Sequence, residues 1–222
     1  MASKTRLQAI DPTPVFAMDG EARAAALRTQ VLPRLTGLKE AALNEANGVY
    51  DFEIARDSDE AVQVDSNEVA TGIHPAQSDY TGLRNIHTPA FSLMLVANEE
   101  GLNVAFRITG AAEWRLFIKA IYQFRESLGD YLSEFDELYL VNSEGEEEVI
   151  EELDQLFGVD VEAEQFKASG CAIYFPSLDY PVETEEDFAT ITGDFATLFP
   201  LYWTLLKAAK GEPVDMDRLL NG

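Results

Sequence analysis

One cysteine, two histidines and sixteen lysine or arginine side chains are all that a chain of 222 residues carries of these types, and each shortage removes a class of function. A lone Cys171 can form neither an intramolecular disulfide nor a thiolate metal cluster. It sits in the apolar run Cys171-Ala172-Ile173-Tyr174-Phe175, the setting of an inert, buried thiol; a reactive one needs an electropositive and partly exposed site. Sixteen bases against forty acids leave a net charge of −24. Direct nucleic-acid binding through an ordinary basic patch is not expected, because phosphates need Lys and Arg to displace their counterions. No apolar run approaches the roughly 18 residues of a membrane helix, and the stretch from Met1 to Ala17 lacks the apolar core of a signal peptide, so no membrane association and a cytoplasmic setting are expected. The phosphate-cradling patterns GxxxxGK and GxGxxG are missing, as is the GxSxG elbow of acyl hydrolases, and no cofactor is expected.

What the chain does have is a core and a lopsided charge. Hydrophobic residues make up 46% and aromatics 10%, enough for a packed interior and against an intrinsically disordered chain. Residues 1–110 hold 15 acids and 9 bases, whereas residues 111–222 hold 25 and 7. Between Asp130 and Asp194 there are 20 acids and a single base, Lys167. A halophile's solvating shell would raise acidity everywhere, so the skew argues mildly against that explanation, although only 6 of the 16 bases are lysine, a choice halophiles also make.

Periodicity suggests the elements. Asp19 is placed to cap a helix over 21–30, with Ala24, Leu27 and Val31 on one face; Pro33 kinks it or starts a second helix carrying Leu35, Leu38 and Leu43, which Gly48 stops. Residues 50–89 are the least regular: Tyr50, Phe52 and Ile54 alternate as a short strand, with Arg56 to Glu60 as its turn. Phe91 to Val96 and Leu102 to Ile108, joined by Asn98-Glu99-Glu100-Gly101, predict a β-hairpin. A helix follows from Ala111 to about Leu128, then a strand over 138–141, an acidic helix from Glu144 to Phe157, and a strand over 172–175. Thr184 and Asp187 form a capping box opening a last long helix, which Pro200 should kink or split. The sum is a single α+β domain over 1–222, with a mainly antiparallel sheet and helices packed on it, residues 1–15 as a flexible leader and 211–222 as a flexible tail.

Two segments carry a resemblance. Phe16-Ala17-Met18-Asp19-Gly20 with Arg23, Ala26 to Val31 and Pro33-Arg34-Leu35 resembles the first helix of the YktB-like family of small bacterial proteins. Phe195-Ala196-Thr197-Leu198-Phe199-Pro200-Leu201-Tyr202 resembles that family's closing helix. The match covers roughly thirty residues and departs in the middle, where the family is basic and aromatic and this chain is acidic. The resemblance implies the fold and a cytoplasmic bacterial setting, and no chemistry.

Candidate sites follow from residue type. His74 and His87 with Asp79 would make a two-histidine, one-carboxylate set for zinc or iron. Their irregular spacing fixes no common face, so they read better as turn residues and no metal is assigned. Asp57-Ser58-Asp59-Glu60 opens like a calcium loop but lacks the glycine at its sixth position, where Val62 stands, and reads as a solvated turn. Trp114 and Trp203 fall on apolar stripes and read as core. The preferred reading is a non-enzymatic regulatory or interaction protein binding a basic partner protein through Glu144, Glu146, Glu147, Glu148, Glu151, Glu152 and Asp154, at the extreme as a nucleic-acid mimic. The alternative is an enzyme acting on an acidic small molecule, with His74, Asp79 and His87 as polar groups and Arg84 and Arg107 as anion clamps.

Overall fold

The computed structural model describes residues 7–50, 58–76, 90–135, 137–142 and 144–213. The expected hairpin is present as β3 (Phe91–Asn98) and β4 (Leu102–Ile108), paired from Phe91↔Ile108 to Ala97↔Leu102. Its turn is held by Asn98, whose Oδ1 accepts from the amides of Glu100 and Gly101. On one side β2 (Glu68–Pro75) and then β1 (Ser58–Val64) extend the sheet. On the other lie β7 (Cys171–Tyr174), β5 (Tyr139–Val141) and β6 (Glu147–Val149). The result is a seven-stranded sheet of order β1-β2-β3-β4-β7-β5-β6 in which every pairing is antiparallel, in an α+β fold.

Side chains alternate between the faces of a strand, and here the two faces differ. One carries Val69, Leu93, Leu95, Val104, Phe106, Ile173 and Leu140 into the main core, which is completed by the helices. These are α1 (Thr13–Phe16), α2 (Gly20–Ala26), a π-turn (Leu27–Val31) running into α3 (Leu32–Tyr50), α4 (Ala111–Gln123), α5 (Arg125–Ser133), α6 (Asp154–Phe157), α7 (Glu164–Ser169) and α8 (Glu185–Lys210). Edge-to-face pairs tie helix to sheet and helix to helix: Phe106 with Phe117 at 5.4 Å, and Trp114 with Phe166 at 6.1 Å. Each such pair is worth about 0.5–1.5 kcal/mol beyond its buried area. Both tryptophans are core residues, as their stripes implied. The other face carries a small separate cluster of Ala61, Ala70, Met94, Val96 and Ala105, with Tyr174 packed against it.

Several expectations are corrected. Ser58, Asp59 and Glu60 lie in edge strand β1, not in a turn; the chain reverses later, where Asp65 Oδ1 accepts from the amides of Asn67 and Glu68. Residues 51–57, which include the Phe52 and Ile54 of the expected strand, lie outside the described residues, and helix α3 runs past Gly48 to Tyr50. The acidic helix is mostly absent. Asn142 Oδ1 accepts from the amides of Glu144 and Glu146, Gly145 takes φ 81°, and the chain folds back as β6. Asparagine's competition for backbone amides, with a glycine free to enter the left-handed region, outweighs the helix preference of the glutamates. Gln155 then braces the next bend, accepting from the amides of Glu151 and Glu152 and donating to the Val149 carbonyl, which leaves only the four-residue α6. The helix from Ala111 breaks at Phe124. Helix α8 has its capping box, with Thr184 Oγ1 accepting from the Asp187 amide at 3.1 Å, and it is continuous through Pro200. Asp19 precedes α2 without a side-chain cap. Within the expected leader, Ile10 is buried and bridges Val182, and Val15 is buried.

One buried charge joins edge strand to helix. Lys39 on α3 is 4% exposed, and its Nζ lies 2.7 Å from Glu60 Oε1 and 3.2 Å from Glu40 Oε1. Removing one partner of such a pair is not symmetric, because only Lys39 is desolvated while the Glu60 side chain is 53% exposed. Glu60→Ala should cost roughly 1–2 kcal/mol by leaving the buried ammonium only its longer contact with Glu40, whereas Lys39→Met should stay within about 1 kcal/mol of wild type because Glu60 re-solvates. Urea midpoints of the two variants check this; equal losses would contradict it.

Candidate binding surface on the second face of the sheet

The second face of the sheet, turned away from the described helices, brings together two of the residues singled out in the sequence. Asp59 pairs with His74, Ser92 pairs with Arg107, and continuing the β2–β3 register sets Ser92 beside His74. His74 and Arg107 therefore share a row across the sheet with the buried Ser92 between them. Sequence reasoning passed over Ser92; its signal is a polar residue at the face-sharing position of Met94 and Val96. His74 Nδ1 is 2.9 Å from the Pro75 carbonyl oxygen, which as a donated N–H leaves Nε2 with the lone pair. Asp79, Arg84 and His87 lie outside the described residues.

Arg107 does not serve as a free anion clamp. Its two terminal nitrogens donate to Glu68 Oε1 and Oε2 at 2.8 and 3.0 Å, a bidentate pair whose side chains are only 26% and 18% exposed. A guanidinium so engaged has its charge matched and its fork filled. Cys171 lies on the opposite, helix-packed face, and burial pushes its thiol up to about 12, so it supplies no thiolate to His74. Among the described residues, no three or more His, Cys, Asp or Glu side chains are placed to hold a metal ion.

The acidic residues are dispersed by the β5–β6 hairpin, where a helix would have lined them up. Glu144 and Glu146 stand in its turn, exposed. Glu147 pairs with Val141 and points to the second face; Glu148 pairs with Leu140 and points to the helix side. Glu151, Glu152 and Asp154 follow, exposed, around the bend into α6. Among the described residues none of these seven carboxylates joins an ion pair, although the nearby Arg115–Glu162 and Lys167–Glu164 pairs show where the local cations go.

Beside Glu147 the second face becomes aromatic. Tyr139 and Tyr174 face each other across β5 and β7, their rings stacked at 5.8 Å and 27°. Burial chiefly, then Glu147 and more distantly Glu100, hold the Tyr174 phenol well above its ordinary pKa, so it stays neutral. No family model and no curated protein matches this chain. Function therefore has to be argued from geometry.

Two further features are spent on the fold. A cleft of about 90 Å³ beside the π-turn contains Asp11 and Arg34, but Asp11 accepts from the Thr13 amide and Arg34 donates to the Ala9 carbonyl. Arg23, central to the YktB-like resemblance, donates to Met18 O, Ser66 O and Glu99 Oε1, pinning helix α2 to two hairpin turns. No helix among the described residues is long and apolar enough to cross a membrane.

Proposed function

We propose that this is a non-enzymatic, cytoplasmic interaction protein that takes a basic partner protein on the acidic edge formed by β5, β6 and the bend into α6. The observation that carries the reading is the run of seven carboxylates from Glu144 to Asp154 without a cation of their own among the described residues. Uncompensated charge at a sheet edge raises the local concentration of a cationic partner and speeds its docking. It also discourages edge-to-edge pairing with another copy, the structural use of the same charges. The enzyme alternative has less support because Arg107, its described anion clamp, is filled by Glu68. Descent from the YktB-like family belongs to the same proposal; Arg23 and Arg34, which carry the resemblance, have architectural uses.

The test is affinity capture from host lysate at about 50 mM and about 150 mM salt, between which the Debye length falls from about 14 to about 8 Å. The control is the triple variant Glu144→Lys, Glu146→Lys, Glu148→Lys. A basic protein should be retained by wild type at low salt, weakened at the higher salt and lost in the variant. Displacement of that protein by added duplex DNA would mark the nucleic-acid-mimic form. Equal capture by wild type and variant would overturn the reading.

A further inference from the structure

Resting on that reading, we propose that the stacked Tyr139–Tyr174 pair, with Glu147 beside it on the adjoining strand, is the subsite that seats an arginine side chain of the basic partner. The second face divides into two parts. Around β1 to β4 its apolar residues Ala61, Ala70, Met94, Val96 and Ala105 are buried. Toward the β6 edge, Ala172, Tyr174, Tyr139, Val141 and Val149 share that face and are each only partly buried. A partly exposed aromatic and aliphatic stripe thus runs directly into the acidic edge.

The chemistry of this stripe selects its occupant. Aromatic faces carry negative potential and attract cations, and a planar guanidinium also stacks on them while keeping its N–H fork for carboxylates. Glu147 joins the stripe from β6, where its partner Val141 shares the face of Tyr139, and Glu100 in the β3–β4 turn adds negative potential at the Tyr174 phenol. Neither carboxylate joins an ion pair among the described residues. The neighbouring cation, Arg107, is held by Glu68 and does not neutralise them. The Tyr174 hydroxyl is sealed from solvent and makes no hydrogen bond of ordinary geometry, although Glu147 faces it. An anionic or neutral chain would be repelled or left without partners here. Lysine, a compact and strongly hydrated charge, would gain from the carboxylates but less from the rings.

Two fluorescent peptides of about ten residues, alike except that one carries four arginines and the other four lysines, serve as probes in anisotropy titrations at about 50 mM salt. Wild type should bind the arginine peptide about fivefold more tightly than the lysine peptide, the scale of a partly desolvated cation–π contact. Tyr139→Leu keeps the apolar area and should erase this preference while leaving salt-dependent binding of both peptides. Glu147→Gln should weaken the arginine peptide by about three- to tenfold. Circular dichroism and melting of each variant show that it is folded, and if Tyr139→Leu is not, Glu147→Gln carries the test. Equal affinities in wild type, or an arginine preference that survives Tyr139→Leu, would overturn the subsite and leave the acidic edge standing. If neither peptide binds, or if binding is indifferent to the triple Glu144, Glu146, Glu148→Lys change, the edge and the subsite are overturned together.

Discussion

Gly72→Ala is expected to be among the most damaging single-methyl additions in this protein. Gly72 lies in β2, paired with Ala61 on one side and Met94 on the other. A Cβ built there would sit 1.9 Å from the Leu93 carbonyl oxygen and 2.8 Å from Met94 Cα. Both are backbone atoms of the adjoining strand, so no rotamer change relieves the contact and β2 must move away from β3. That movement would open the closely packed Ala61, Ala70 and Met94 and loosen the register through which β1 is held. A loss of about 3 kcal/mol or more is expected, at the upper end of overpacking effects. In a chain of this size it should lower Tm by roughly 6–12 °C. Gly193→Ala is the control: it lies inside α8 with nothing within 4 Å of the added methyl, and should gain about 0.5–1 kcal/mol. Melting curves of the pair decide it, and a Gly72→Ala protein melting within about 2 °C of wild type would contradict the β2–β3 register.

Asp194→Asn should stabilise the protein at alkaline pH and do little in acid. Burial on α8, with the Glu137 charge adding to it, raises the Asp194 carboxyl to about 7. An aspartate in the unfolded chain titrates near 4. Between those values the folded state keeps a proton that the unfolded state has released, so stability falls as pH rises from about 4 to about 7 and then levels off. Below about pH 4 both states are protonated and no penalty exists. Asparagine cannot ionise and removes the penalty. After allowance for partial solvent screening, the gain should be about 2 kcal/mol at pH 8, roughly 4–8 °C in Tm, shrinking toward zero near pH 4.5. Measuring the difference between variant and wild type cancels the repulsion common to both highly acidic chains. The same Tm difference at both pH values would refute the assignment.

The parts of the fold legible in the sequence are those where a local signal and the tertiary demand coincide. Strict alternation through Leu102, Val104, Phe106 and Ile108 matches a strand with one face in the core, and Asn98 supplies the turn it needs. Thr184 and Asp187 cap α8 by bonds spanning three residues, which no distant contact has to supply. Strand β1 was hidden because an edge strand tolerates the charge of Asp59 and Glu60, one of which is matched only by Lys39 from a helix. The segment from Glu144 to Phe157 is not legible from its sequence because the helical stripe of Val149, Ile150, Leu153 and Phe157 competes with a turn at Asn142-Gly145, and pairing with β5 decides between them. The row of His74, Ser92 and Arg107 could not be read at all, since it depends on the registers of two strand pairs.

Composition and pattern alone determined that the chain folds around an apolar core, that its helices and hairpin alternate in an α+β order, and that its negative charge gathers in the second half. These are sums and short-range periodicities, and they survive any arrangement of the elements. Only the tertiary structure decided that β7 enters between β4 and β5, and so that Tyr174 meets Tyr139 thirty-five positions earlier in the chain. It alone turned the acidic run into a sheet edge and matched Arg107 to Glu68. Strand order and register are chosen by burial summed over the whole sheet, and no window of neighbouring residues contains that sum.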